Sequence, residues 1–233
     1  MNICRTCKIR WLSGRLIFLM IPLQLLQFSC NNNNNLQPLV VTKEDAALQK
    51  AFIKRAFITI AAVKKNIHSG DIITRTGNDF TSESLRSLNQ RDQTYSHCGI
   101  ASIENDSLFI YHALGGEWNP DEKLKRDPFE NFAEPYSNRG IGIFEFDLPG
   151  RSKALLVQVA KKQFTNGLPF DMDFDLRTDD RMYCAEFIYK SLLEASSNEM
   201  AFNKSRIGQF IFIGVDDIIL HPLCKKRALL VYK

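Results

Sequence analysis

The chain has 233 residues, 45% of them hydrophobic and 24% charged, which suits one globular domain with an ordinary core plus a processed leader. Its net charge of +4 is concentrated at the start, because residues 1–29 carry Arg5, Lys8, Arg10 and Arg15 and no acid, leaving 26 basic against 26 acidic residues beyond them. A body balanced in this way gives no charge argument for a nucleic acid partner, and none is expected.

Residues 1–29 read as an export signal of the lipoprotein type. The basic n-region ends at Arg15, and the apolar run 16–26 is too short to span a bilayer comfortably. It closes on Gln27-Phe28-Ser29-Cys30, which resembles the lipobox of bacterial lipoproteins, although Gln27 stands where that motif prefers Leu. The resemblance implies a lipidated Cys30 and a protein tethered by its N-terminal lipid to a membrane of the cell envelope, at the periplasmic or outer-membrane face. Ordinary signal cleavage or a short uncleaved anchor are the alternatives. Residues 30–41, with five asparagines at 31–35, form the tether, and residues 42–233 form a single domain.

Residues 42–68 place Ala, Leu, Phe and Ile at helical intervals without Gly or Pro, which predicts a long amphipathic helix ended by Ser69-Gly70. Residues 70–75 predict a short strand, 78–90 a short helix and loop, and 94–103 with 108–113 a hairpin around 104–107. Residues 118–138, rich in Pro, Asp and Glu, read as a long surface connection. A strand at 140–148, helices at 152–164 and 184–196, and closing strands at 209–215 and 227–232 complete the pattern. Tight turns between neighbouring strands argue for an α+β fold with a mainly antiparallel sheet packed against helices.

Of the six cysteines, Cys4 and Cys7 lie in the leader, Cys30 is the lipidation candidate, and Cys98, Cys184 and Cys224 remain for the domain. No spacing suggests a structural zinc site, and neither metal nor cofactor is expected. The acidic run at Asp171, Asp173, Asp175, Asp179 and Asp180 lacks the spacing of a calcium loop.

In an alternating strand His97, Gly99 and Ala101 face one way, and Cys98, Ile100 and Ser102 the other. An even hairpin loop pairs residues whose numbers sum to 211, so His112 falls opposite Gly99 and diagonal to His97, on the same face. The glycine leaves two imidazoles room to approach. Cys184 opens an apolar-periodic segment, so it lies in the first turn of a helix. There, unpaired N–H groups and the positive end of the helix dipole favour thiolate and can receive an oxyanion. Cys98 faces away from His97 and reads as core, and Cys224 as structural. His68 and His221 need no chemical role.

Gly70-Asp71-Ile72-Ile73, Tyr95-Ser96-His97-Cys98-Gly99-Ile100, Tyr111-His112-Ala113 and Asp179-Asp180-Arg181-Met182-Tyr183-Cys184-Ala185-Glu186-Phe187 resemble, in this order, the permuted papain-like hydrolases of the NlpC superfamily, especially the YiiX/YaeF-like group. The resemblance runs from about Gly70 to Ile188. It implies a circularly permuted papain-like fold with Cys184 as nucleophile, His97 as base and the polar residue at His112 orienting it. The group often has glutamate at this third position; the histidine is similar to the lecithin:retinol acyltransferase branch. Tyr183 and Tyr95 are candidates for a hydroxyl near the oxyanion. The expected activity is hydrolysis of an amide bond, as an amidase or peptidase acting on peptides of cell-wall type. A lipid acyl hydrolase or acyltransferase, and a non-catalytic binding protein with the same fold, are the alternatives. The partner is therefore a peptide or an acyl substrate, and no oligomeric state is implied.

Overall fold

The computed structural model describes residues 42–116 and 119–232, so the leader, Cys30 and the whole tether lie outside the described residues. The first element, α1 (Lys43–Lys64), starts where a capping box dictates. Thr42 Oγ1 accepts the Asp45 N–H and the Asp45 carboxylate accepts the Thr42 N–H, both at 3.0 Å, which satisfies two donors that the first turn leaves open.

Strands β1 (Ile72–Gly77), β2 (His97–Glu104), β3 (Ser107–His112), β4 (Lys125–Pro128), β5 (Asn138–Phe146) and β8 (Cys224–Val231) form one sheet in the order β4-β3-β2-β1-β5-β8. Every neighbouring pair is antiparallel. The short strands β6 (Ser205–Ile207) and β7 (Phe210–Phe212) form a separate hairpin. Helices α2 (Phe80–Leu88), α3 (Phe129–Phe132), α4 (Gly150–Thr165), α5 (Cys184–Ala195) and α6 (Val215–Ile219) complete the fold.

Both sheet faces are covered, as strand alternation requires. One face sets Ile72, Cys98, Ile100, Tyr111 and Phe144 against α4, α5 and α6 through Leu156, Ala160, Phe187, Ile188, Leu192 and Ile218. The opposite face sets Ile73, Ala101, Ile110, Ile141 and Ile143 against α1 and α3 through Ala56, Ile60, Phe129 and Phe132. The α+β class with an antiparallel sheet packed on helices is thus as the pattern predicts.

The hairpin between β2 and β3 decides the site. Asn105 and Asp106 both take positive φ, 47° and 61°, in a two-residue turn whose twist matches the strands and whose residue types tolerate that conformation. The register follows: Ile100 pairs with Tyr111 and Ala101 with Ile110, so partners sum to 211.

Residues 118–138 are not simply a surface connection. They contain the edge strand β4, and Phe129 and Phe132 of α3 are fully buried. The short run Lys125-Arg126-Asp127-Pro128 shows no apolar alternation because an edge strand with mixed charges needs none. Likewise only part of 209–215 is strand, since Val215 already begins α6.

Candidate active site

His97 and His112 meet in the interior. His97 is the first residue of β2 and His112 the last of β3, and Gly99 lies between them. A Cβ at Gly99 would stand 2.5 Å from the Ile110 side chain, 2.8 Å from the Tyr111 carbonyl and 3.0 Å from His112 Cβ, so only glycine admits this approach. His97 Nε2 and His112 Nδ1 are 2.8 Å apart, with the rings edge to face and Phe132 packed against both.

The chain of contacts continues to a residue that no sequence pattern singled out. His112 Nε2 lies 2.9 Å from Asp127 Oδ2, across the β3–β4 pairing. His112 bonding first, and lesser positive charges nearby, hold the Asp127 carboxyl below its ordinary value. Burial keeps His97 well below the usual imidazole value, with the Arg75 charge and His112 adding to the effect. Burial lowers His112 as well, against the pull of Asp127. An ionised Asp127 only accepts, so His112 Nε2 carries the proton and donates it. Neutral His112 then accepts at Nδ1, and His97 donates from Nε2. This leaves His97 Nδ1 unprotonated, the tautomer of a base ready to receive a proton.

Cys184 is the first helical residue of α5, preceded by Tyr183 in extended conformation. The Tyr183 N–H donates to Glu186, 3.3 Å, and Glu186 pairs with Lys190 one turn on, which anchors the helix start. Cys184 packs onto the β2 side of the core, where the Cys98 thiol, in first place, lowers its thiol value against the opposing effect of burial. The Cys98 and Ala185 N–H groups and the charge of Arg75 act in the same direction. Cys184 thus packs beside Cys98, the residue next to His97 in β2. Cys98 is core, as its face predicts, but it is also a neighbour of Cys184. All three domain cysteines are free thiols.

Arg75 is the second residue that sequence reasoning passed over. It pairs with His97 across the β1–β2 register, and its guanidinium lies over the Phe132 ring, 4.9 Å from the centroid. The Tyr183 hydroxyl accepts the Ile213 N–H at 2.8 Å, and the Tyr95 hydroxyl lies in the core beside Thr74 and the backbone at Gly142. Of the acidic run, Asp171 accepts the N–H groups of Asp173 and Asp175, which closes a turn.

A narrow recess adjoins Cys184 and is mostly apolar, lined by Leu85, Leu88, Phe174, Phe212, Ile213 and Val215. Across Phe174 lies a wider groove of about 690 Å³ between residues 173–177 and the β6–β7 hairpin. Cys184 lines the recess and not the larger groove.

No protein-family model matches the chain, and no curated protein matches it. Among solved structures, the metalloprotein yiiX from Escherichia coli O157:H7 is similar over 70% of this chain and 98% of its own, with a TM-score of 0.58 and 18% identity. No three His, Cys, Asp or Glu side chains converge as metal ligands among the described residues, and hydrogen bonds occupy both ring nitrogens of His112. The residues present therefore do not fit a metal centre at this site. What the likeness shows is the architecture: this chain has a YiiX-like α+β fold.

Proposed function

We propose that this protein is an exported cysteine hydrolase of the permuted papain-like kind, working through a thioester on Cys184. Two observations carry the proposal: the relay from Asp127 through His112 to His97, and a helix-start Cys184 thiol held low beside Cys98, the residue that follows His97 in β2. His97 Nδ1 takes the thiol proton as Sγ attacks the carbonyl carbon and the carbonyl electrons move to oxygen. N–H groups of the first turn of α5 hold that oxyanion. The bond to the leaving group then breaks, with the proton on His97 going to the leaving atom. Water attacks the thioester, again giving its proton to His97, and the acid product departs as the thiol re-forms.

The amide bond of a cell-envelope peptide is the first substrate reading, since a lipid-tethered enzyme would meet such peptides. The apolar recess favours a second, an acyl ester of a lipid. Hydrolysis rates on acyl esters of increasing chain length, beside those on wall-type peptides, separate the two.

A thiol-directed acyl probe is expected to label Cys184 alone, and Cys184→Ala to abolish labelling. Mass spectrometry of the labelled peptide checks this; label persisting at Cys98 or Cys224 in the variant would assign the wrong nucleophile, and a wild type that neither labels nor hydrolyses would favour a binding protein. Asp127→Ala is expected to lower kcat/KM by roughly tenfold with little change in KM, because it frees the His112 tautomer without touching substrate. The effect is moderate because the Asp127 side chain is 39% exposed and water can replace it in part. Steady-state kinetics decide, and an unchanged rate would remove Asp127 from the relay.

A further inference from the structure

Arg75 carries a charge that no carboxylate among the described residues pairs with directly. It stands on the His97 face of β1 and is partly buried. Its side chain makes one hydrogen bond among the described residues, from Nη1 to the Phe132 carbonyl at 3.3 Å, although a guanidinium has five N–H donors. No described carboxylate lies within 4.0 Å of it as an ion pair, unlike Arg126 and Arg177, which have one each, and Arg227, which has two.

The first charge that reaches Arg75 is that of the Cys184 thiolate, which sets the guanidinium on the side of the sulfur, and the carboxylates that follow it are engaged elsewhere. Asp127 accepts from His112, Glu134 from the Tyr136 and Ser137 N–H groups, and Asp79 from the Ser82 N–H. Its open donors are not among the buried polar atoms left without a partner, so they reach solvent. A half-buried guanidinium is costly to leave unpaired and is built for planar, two-point recognition of a carboxylate or phosphate.

We propose that Arg75 anchors an anionic group of the substrate, a carboxylate or a phosphate, beside the carbonyl that Cys184 attacks. The proposal rests on Cys184 as nucleophile and adds the substrate class: a molecule with an anion on the histidine side of the sulfur. That is the side of the leaving group, because His97 delivers the proton there. A peptide ending in a free carboxylate and a phosphate-bearing lipid both satisfy this description.

The test compares alkylation of Cys184 in the full chain by iodoacetate, an anion, and by iodoacetamide, its neutral counterpart. Rates are read on the Cys184 peptide. Arg75→Gln is expected to lower the iodoacetate-to-iodoacetamide ratio by about tenfold or more, and Arg75→Lys by less, since it keeps the charge and loses the fork. In the wild type, inorganic phosphate or acetate should protect Cys184 from iodoacetamide in a saturable way, against chloride at equal ionic strength. Protection at lower phosphate concentration assigns the phosphate source, and at lower acetate concentration the carboxylate. A ratio unchanged in Arg75→Gln, with both rates falling together, would make Arg75 a counter-ion of the thiolate only and overturn the proposal. Absence of protection by either anion would overturn it too, and this arm needs no variant to fold. Failure of the nucleophile assignment looks different: substrate hydrolysis would survive Cys184→Ala, while the alkylation ratio would still report on Arg75.

Discussion

His97→Ala is expected to lower kcat/KM by about 10³-fold, within the range that a positioned general base supplies. His112→Ala should cost less, on the order of tens of fold, because His97 keeps its place on β2 and loses only the partner that sets its tautomer. The acid limb of the pH profile tests the same assignment. Burial, then Arg75 and His112, hold His97 well below its ordinary value of 6.5, so the base stays unprotonated and the rate stays high as pH falls past 6.5. The limb appears only further down. A limb at or above 6.5 would show a solvated histidine instead. Stability carries the same sign: a depressed folded value means the unfolded chain binds the proton first, so stability present above 6.5 is lost as pH falls below it. Urea unfolding of the wild type against His97→Gln should show a steeper acid loss in the wild type.

Gly99→Val is expected to destabilise the domain by about 2–3 kcal/mol and to abolish turnover together with it. The added carbon would stand inside contact distance of Ile110, the Tyr111 carbonyl and His112. Relief requires either parting β2 from β3 or pushing His112 off His97, and both dismantle the relay. Thermal melting should register a drop of roughly 5–10 °C for a domain of this size. Gly150→Ala is the control, because nothing lies within 4 Å of a Cβ there. A Gly99→Val protein with wild-type melting would mean that the hairpin is looser than drawn.

The legible parts of this molecule are those written in local pattern. Thr42 followed by Asp45 marks a helix start, Asn105-Asp106 marks a two-residue turn, and that turn fixes the pairing that makes His97 and His112 neighbours. The helix-start position of Cys184 was likewise readable from the apolar period that follows it. The tyrosine hydroxyls were not readable, because a hydroxyl beside a nucleophile in sequence can turn to any partner that folding brings, and here Ile213 claims Tyr183.

Sequence by itself determined the α+β class and the hairpin register that makes His97 and His112 neighbours, and the helix-start place of Cys184, because each depends on residues close along the chain. Tertiary structure alone decided the rest. Asp127 reaches His112 through an edge strand too short and too charged to show a period. Arg75 looked like an ordinary strand arginine until the pairing of β1 with β2 set it opposite His97. Cys98 became a neighbour of Cys184 only when α5 packed on its face of the sheet. Long-range pairing and packing leave no mark in a local sequence pattern, and these are the contacts that lower the Cys184 thiol, link His97 through His112 to Asp127 and set Arg75 opposite His97.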